Sequence, residues 1–218
     1  MKLLTRASKH TLQDRLIWQS ASLLLAYPDD QRTERLDTVD QLLTPFTGRA
    51  AELLALTAAT LRATDPLRAA ADYVETFDLQ RRATMYLTYW TAGDTRNRGS
   101  EMLAFAQAYR DADVEPPQHE APDFLPVVLE FAATVDPDVG RRLLTGHRVA
   151  IDVLCTALTD MASPYAHTVA AVCQTLPTAT DRDVQRAQHL TQAGPPAEAV
   201  GLQPFTLTVP PRRAEGGQ

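Results

Sequence analysis

Apolar residues recur along this chain at helical spacing, and the prolines fall between the periodic segments rather than within them. Leu12, Leu16, Trp18 and Leu23 pattern a helix over residues 11–27 that stops at Pro28, and a second runs over 33–43, ending before Pro45. Residues 49–63 are rich in Ala and Leu, strong helix formers. Asp65-Pro66 then reads as an N-cap followed by proline at the first helical position, where its missing N–H costs nothing. Behind it, Leu67, Ala70, Ala71, Val74 and Phe77 follow the i, i+3, i+4, i+7 template of a one-sided helix. The pattern continues with a helix over 80–90 closed by Gly93, and another from 95–99 to 109 with Met102, Phe105, Ala106 and Tyr109 on one face.

Residues 114–122 contain three prolines and predict a loop longer than the common connection. Asp123 is placed to cap a helix through Phe131, and Asp136-Pro137 to open one long helix carrying Val139, Leu143, Leu144, Ile151 and Leu154. Ser163-Pro164 starts the next helix, ending before Pro177, and Thr180 or Asp181 caps a last one to 193. From 194 to 218 the helical period disappears into Pro, Gly and isolated polar residues, which predicts a mobile tail. Residues 206–209 alternate like a strand without a partner. The expected fold class is therefore all-α: one domain over 1–193, a bundle of roughly seven to ten helices, with a flexible tail over 194–218.

Composition narrows the function classes. Hydrophobic residues make up 44% of the 218 positions, enough for a core, and the net charge of −6 argues against a general nucleic-acid binder. No apolar run reaches the length of a membrane span, and the first ten residues lack a signal-peptide apolar region, so a cytoplasmic location without membrane insertion is expected. Cys155 and Cys173 cannot make a disulfide framework and read as buried thiols on helices. His10, His119, His147, His167 and His189 show no metal-ligand spacing, and no nucleophile-elbow, phosphate-loop or dinucleotide motif occurs, so neither a metal nor a cofactor of its own is expected. Nothing brings Glu130 together with His119 or His147 as a hydrolase would need.

One stretch stands out. Tyr73, Phe77, Tyr86, Tyr89 and Trp90 crowd with Glu75, Asp78, Arg81 and Arg82, and the Gly93 to Gly99 turn adds Arg96 and Arg98. Aromatics beside charged residues suit a recognition surface and equally a helix–helix core. The turn suits an anion, or else Asp94 or Thr95 caps the helix while the arginines pair with carboxylates such as Asp78. Glu75 and Asp78, with Asp123 and Glu130, read as capping or solvated carboxylates, or as an acidic lining for a positively charged partner.

Three blocks carry a family likeness: residues 73–82 (YVETFDLQRR), 86–99 (YLTYWTAGDTRNRG) and 122–131 (PDFLPVVLEF), with a weaker match at the helix end Ala26-Tyr27-Pro28. Over about 10–195 the chain resembles the NarJ family, the delta-subunit chaperones of respiratory nitrate reductase, within the wider group of molybdoenzyme assembly chaperones. Ala121 stands where an aliphatic Leu is expected, and Phe124 where Tyr is common, so position 124 has no hydroxyl. The resemblance implies a non-catalytic, cytoplasmic, all-helical chaperone. Such a protein binds the N-terminal segment of the catalytic (alpha) subunit transiently, until molybdenum cofactor and iron–sulfur cluster are inserted and the complex docks at the membrane. Helix-in-groove recognition then assigns the client groove to Phe77, Tyr86, Tyr89, Trp90 and Phe124, with Glu75, Asp78, Asp123 and Glu130 at its rim. The alternative is direct contact with the molybdenum cofactor through Arg96 and Arg98. Leu202, Pro204 and Phe205 in the tail are candidates to mimic a client.

Overall fold

The computed structural model describes residues 2–93 and 96–196, with side chains described over 12–93 and 97–196. Eleven α-helices and no strand occur among them: α1 (Lys2–Leu25), α2 (Arg32–Leu43), α3 (Arg49–Ala63), α4 (Pro66–Tyr73), α5 (Tyr89–Ala92), α6 (Arg96–Asp111), α7 (Leu125–Thr134), α8 (Pro137–Gly146), α9 (Arg148–Asp160), α10 (Tyr165–Thr175) and α11 (Asp181–Ala193). The all-α expectation holds, with one helix more than the upper expected number. The tail beyond Pro196, including Leu202, Pro204, Phe205 and residues 206–209, lies outside the described residues.

Helix α1 is the central element, packed by α2, α3, α7 and α10. Its Trp18 is fully buried and donates its indole N–H to Thr175 Oγ1 at 2.8 Å, tying α1 to the end of α10. Thr57 of α3 donates to the Pro164 carbonyl at 2.9 Å and accepts from Thr168 at 3.0 Å, so the buried hydroxyls between α3 and α10 are satisfied. Helices α7 and α8 cross at Gly140, where a Cβ would lie 2.3 Å from that of Ala132. The expected caps form: Asp65 accepts from the Leu67 and Arg68 amides, Asp136 from Asp138 and Val139, and Thr180 makes a reciprocal box with Asp183.

Three expectations are corrected. The long helix from Pro137 breaks into α8 and α9 at His147 (φ −107°, ψ 21°). Gly146 is a poor helix former, and the His147 ring contacts the Leu143 carbonyl at 2.9 Å and packs on Phe105 at 4.8 Å. Asp123 does not cap α7, whose N-cap is Phe124 without a side-chain bond. Residues 80–90 are not one helix: a 3₁₀ turn, Arg81–Ala83, leads into extended backbone at Thr84, then into the single turn α5. There the chain pairs with residues 123–125 instead of with itself, through Leu125 N to Met85 O (2.9 Å) and Leu87 N to Asp123 O (3.1 Å). Ala83, Met85 and Leu87 consequently point inward and Thr84 and Tyr86 outward, the period of two of an extended segment.

Candidate functional site

Helix α4 carries the expected amphipathic pattern but turns it outward. Its buried positions are Ala69 and Tyr73, continued by Phe77, whereas Leu67 is 84% exposed and Ala71 is exposed. Tyr73 and Phe77 join Tyr27 and Tyr165 in an aromatic cluster with centroids 4.7–5.9 Å apart, and Tyr73 donates its phenol to the Leu25 carbonyl at 3.0 Å. With the core face taken by these rings, the stripe Leu67, Ala70, Ala71 and Val74 has only the outside left. After Tyr73 the helix widens into a π-helical turn, Val74–Asp78, closed by Leu79 N to Val74 O at 3.0 Å. The turn ends with Leu79 standing 70% exposed.

Two grooves flank this segment. One, about 490 Å³, is lined by Leu61, Ala69, Glu75, Met161, Pro164 and Tyr165. The other, shallower and about 570 Å³, is lined by Tyr27, Ala70, Ala71, Val74 and Leu79. Glu75 and Gln80 border both, and Asp72, paired with Arg68 at 2.8 Å, borders the first. The second groove is mainly apolar, whereas the first mixes apolar residues with Thr64, Arg68, Thr76 and Ser163; Asp72 and Glu75 bring carboxylates to their edges.

A second cluster lies where the extended segment meets residues 123–125. Asp123 is completely buried and accepts from Thr88 twice, from its amide at 3.2 Å and from its hydroxyl at 2.5 Å. Arg98 from α6 lies over the Tyr86 ring at 5.1 Å and places its guanidinium 3.9 Å from Asp123, with Nε 3.4 Å from the Thr88 hydroxyl. Tyr86 packs on Phe124 at 5.2 Å. Burial raises the Tyr86 phenol above its ordinary range, helped by the negative charges of Glu120, Asp123 and Asp78 and opposed by Arg98. The charges of Asp78 and Glu120 also add to the rise that burial gives the Tyr73 phenol.

Of the residues expected to meet a client, Glu75 and Asp78 are exposed, Tyr86, Tyr89 and Phe124 are half-buried, and Glu130 is exposed on α7, apart from the others and near Tyr109. Phe77 (8% exposed), Trp90 (2%) and Asp123 (0%), expected in the same groove, are buried. Phe77 fills the aromatic cluster, Trp90 packs in the core and edges a small pocket with His147 and Leu190, and Asp123 pins the extended segment. Arg98 faces Tyr86 and Asp123, and residues 94–95 of the turn and the Arg96 side chain lie outside the described residues. Thr88, Glu120, Leu67 and Leu79 were not anticipated. Alternation over 83–87 signals an extended segment but would place Thr88 outward with Thr84 and Tyr86, so nothing in the sequence announces its burial. Among the described residues no group of three His, Cys, Asp or Glu is arranged to hold a metal ion, and no helix is long and apolar enough to cross a membrane.

The architecture defines a class first. It is similar to a crystal structure of a candidate redox enzyme maturation protein from Archaeoglobus fulgidus, covering 73% of this chain and 91% of that one with a TM-score of 0.55; at 23% identity the likeness shows a shared fold. The sequence profile of the nitrate reductase delta subunit family matches residues 40–171, and the chain belongs to that family. The Bacillus subtilis protein named as a probable nitrate reductase molybdenum cofactor assembly chaperone, NarJ, is 30% identical over 72% of this chain and 86% of its own length. The Escherichia coli NarJ chaperone is 29% identical over 55% of this chain and half of its own. The nitrate reductase-like protein NarX of Mycobacterium tuberculosis is 65% identical over 160 residues; the match takes in 73% of this chain and about a quarter of NarX (24%).

Proposed function

We propose that this chain is a dedicated, non-catalytic assembly chaperone of respiratory nitrate reductase. It binds the N-terminal segment of the catalytic subunit transiently in the cytoplasm, and holds that subunit until molybdenum cofactor insertion and complex assembly are complete. The observation that carries this reading is the outward apolar stripe of α4 and its π-helical turn. A soluble domain that has satisfied its core with Ala69, Tyr73 and Phe77 has no internal use for Leu67 and Leu79 at 84% and 70% exposure. Such a stripe, flanked by two grooves, suits an amphipathic client helix laid alongside it. Glu75 and Asp78 at the margin favour a client carrying Arg or Lys near its apolar anchors, chiefly through association rate and register. Tyr86 and Phe124 extend the contact surface, while Asp123, Phe77 and Trp90 support it from inside.

The relatives named as nitrate reductase molybdenum cofactor assembly chaperones support the client's identity. Direct contact with the cofactor is the weaker reading, because Arg98 is turned onto Tyr86 and Asp123. Co-purification tests the proposal. The full catalytic subunit should be retained by this chain and a version lacking its N-terminal segment should not; equal retention of both would overturn the assignment of the client segment.

A further inference from the structure

Cys155 and Cys173 lie away from the surface described above, and both are half-buried rather than buried, on α9 and α10. Asp152 and Cys155 are one turn apart on α9 and share a face. From α10, the Cys173 thiol reaches that face, with Sγ 3.6 Å from Asp152 Oδ1. Arg148 fixes the carboxylate from the other side, its Nε 2.8 and 2.9 Å from the two oxygens. Both thiols therefore adjoin the Asp152 carboxylate at the α9–α10 interface, Cys155 from its own helix and Cys173 from the facing one. The pair is unequal. The Cys173 thiol lowers the pKa of Cys155 below the ordinary thiol value, whereas Cys173, as the donor and the more buried, is held above it.

From these contacts we infer that Cys155 and Cys173 form an oxidisable dithiol, a site of reversible exchange with a low-molecular-weight disulfide. Cys155 is the attacking sulfur and Cys173 the resolving one. The Cys155 thiolate attacks one sulfur of the external disulfide, forming a mixed disulfide and expelling the first thiolate. Cys173 then gives up its proton and attacks Cys155 Sγ, forming the internal S–S bond and expelling the second. The two cysteine protons end on the two released thiols, and the two electrons lost by the cysteines reduce the external disulfide. The new bond joins α9 to α10, whose connecting turn, with Ala162 at φ +51°, supplies Met161 and Pro164 to the 490 Å³ groove, and α10 itself supplies Tyr165. Oxidation therefore clamps the two helices behind one groove wall. The inference rests on the placement of both thiols beside Asp152, and it is independent of the client reading.

The test is incubation of the purified full chain with oxidised glutathione, followed by intact-mass measurement and alkylation. The wild type should end as a monomer lighter by two hydrogens with neither cysteine alkylated. Cys173→Ser should stop as a glutathione adduct on Cys155, and Cys155→Ser should take up glutathione at least tenfold more slowly. Two thiols that stay open to alkylation, cross-linked dimers in place of the internal bond, or equal reactivity of the two variants would overturn the inference.

Discussion

Replacing Leu67 and Leu79 with alanine separates a docking face from a packing face. Full burial of the three carbons removed by Leu→Ala is worth about 2.4 kcal/mol, at ~0.8 kcal/mol per methylene. Leu67 retains 84% of its exposure and Leu79 70%, so nearly all of that is still to be gained when a client covers them. With incomplete burial in the complex, each substitution should cost about 1.5 kcal/mol of binding, roughly a tenfold rise in Kd. The two positions are twelve residues apart, ~18 Å along a helix, so their effects should add to about a hundredfold. Stability should hardly move, within about 0.5 kcal/mol, because neither side chain packs in the core. Calorimetric titration with a client peptide, paired with thermal unfolding, reads both quantities. Unchanged Kd in the double variant would refute the docking face, and a large fall in Tm would show that these leucines pack inside after all.

Three further expectations follow from particular contacts. Asp123→Ala strips buried Thr88 of the acceptor for its amide and hydroxyl and should cost about 3 kcal/mol, lowering Tm by roughly 9 °C, whereas Asp78→Lys at an exposed position should leave Tm within about 2 °C and weaken client binding; a stable Asp123 variant would contradict its structural role. Gly140→Ala places a methyl 2.3 Å from the Ala132 Cβ and should destabilise by about 2 kcal/mol in denaturant melts, while Gly99→Ala, in open space within α6, should stabilise by about 0.5–1 kcal/mol. Burial holds the phenols of Tyr73, Tyr109 and Tyr165 above their ordinary value of 10.0, so the folded state retains protons that the unfolded chain releases. Their stabilising contribution is complete below pH 10 and is lost as pH rises beyond it, and Tyr165→Phe should make that decline shallower by up to ~1.4 kcal/mol per pH unit; identical alkaline slopes would refute the assignment.

Much of the fold was legible because local signals agreed with one another. Ala and Leu over 49–63 marked α3 to the residue, and Asp65-Pro66 and Asp136-Pro137 each marked a helix start. Periodicity at Leu67, Ala70, Ala71, Val74 and Phe77 identified α4 as amphipathic, but period alone does not say which face a helix buries. Tyr73 on the neighbouring face and Phe77 at the end of the stripe, with the larger aromatic area, won the core. Residues 83–88 failed for a different reason: their partner, 123–125, is distant in sequence, and only the alternation of Ala83, Met85 and Leu87 hinted at an extended segment. The same distance explains the site. The blocks containing Tyr86, Arg98, Asp123 and Phe124 were recognisable, yet the bonding of Asp123 to Thr88 depends on the fold that joins them. A carboxylate at full burial and one at the rim look alike in a sequence.

The central claim is that this surface holds the first residues of the nitrate reductase catalytic subunit. The most direct test is calorimetric titration of the purified chain with a synthetic peptide of those residues, using a scrambled peptide as control. The account predicts saturable one-to-one binding at micromolar Kd or tighter, about −8 kcal/mol, absent for the scrambled peptide. No binding by a chain whose helical signal is intact, or equal binding of both peptides, would contradict it.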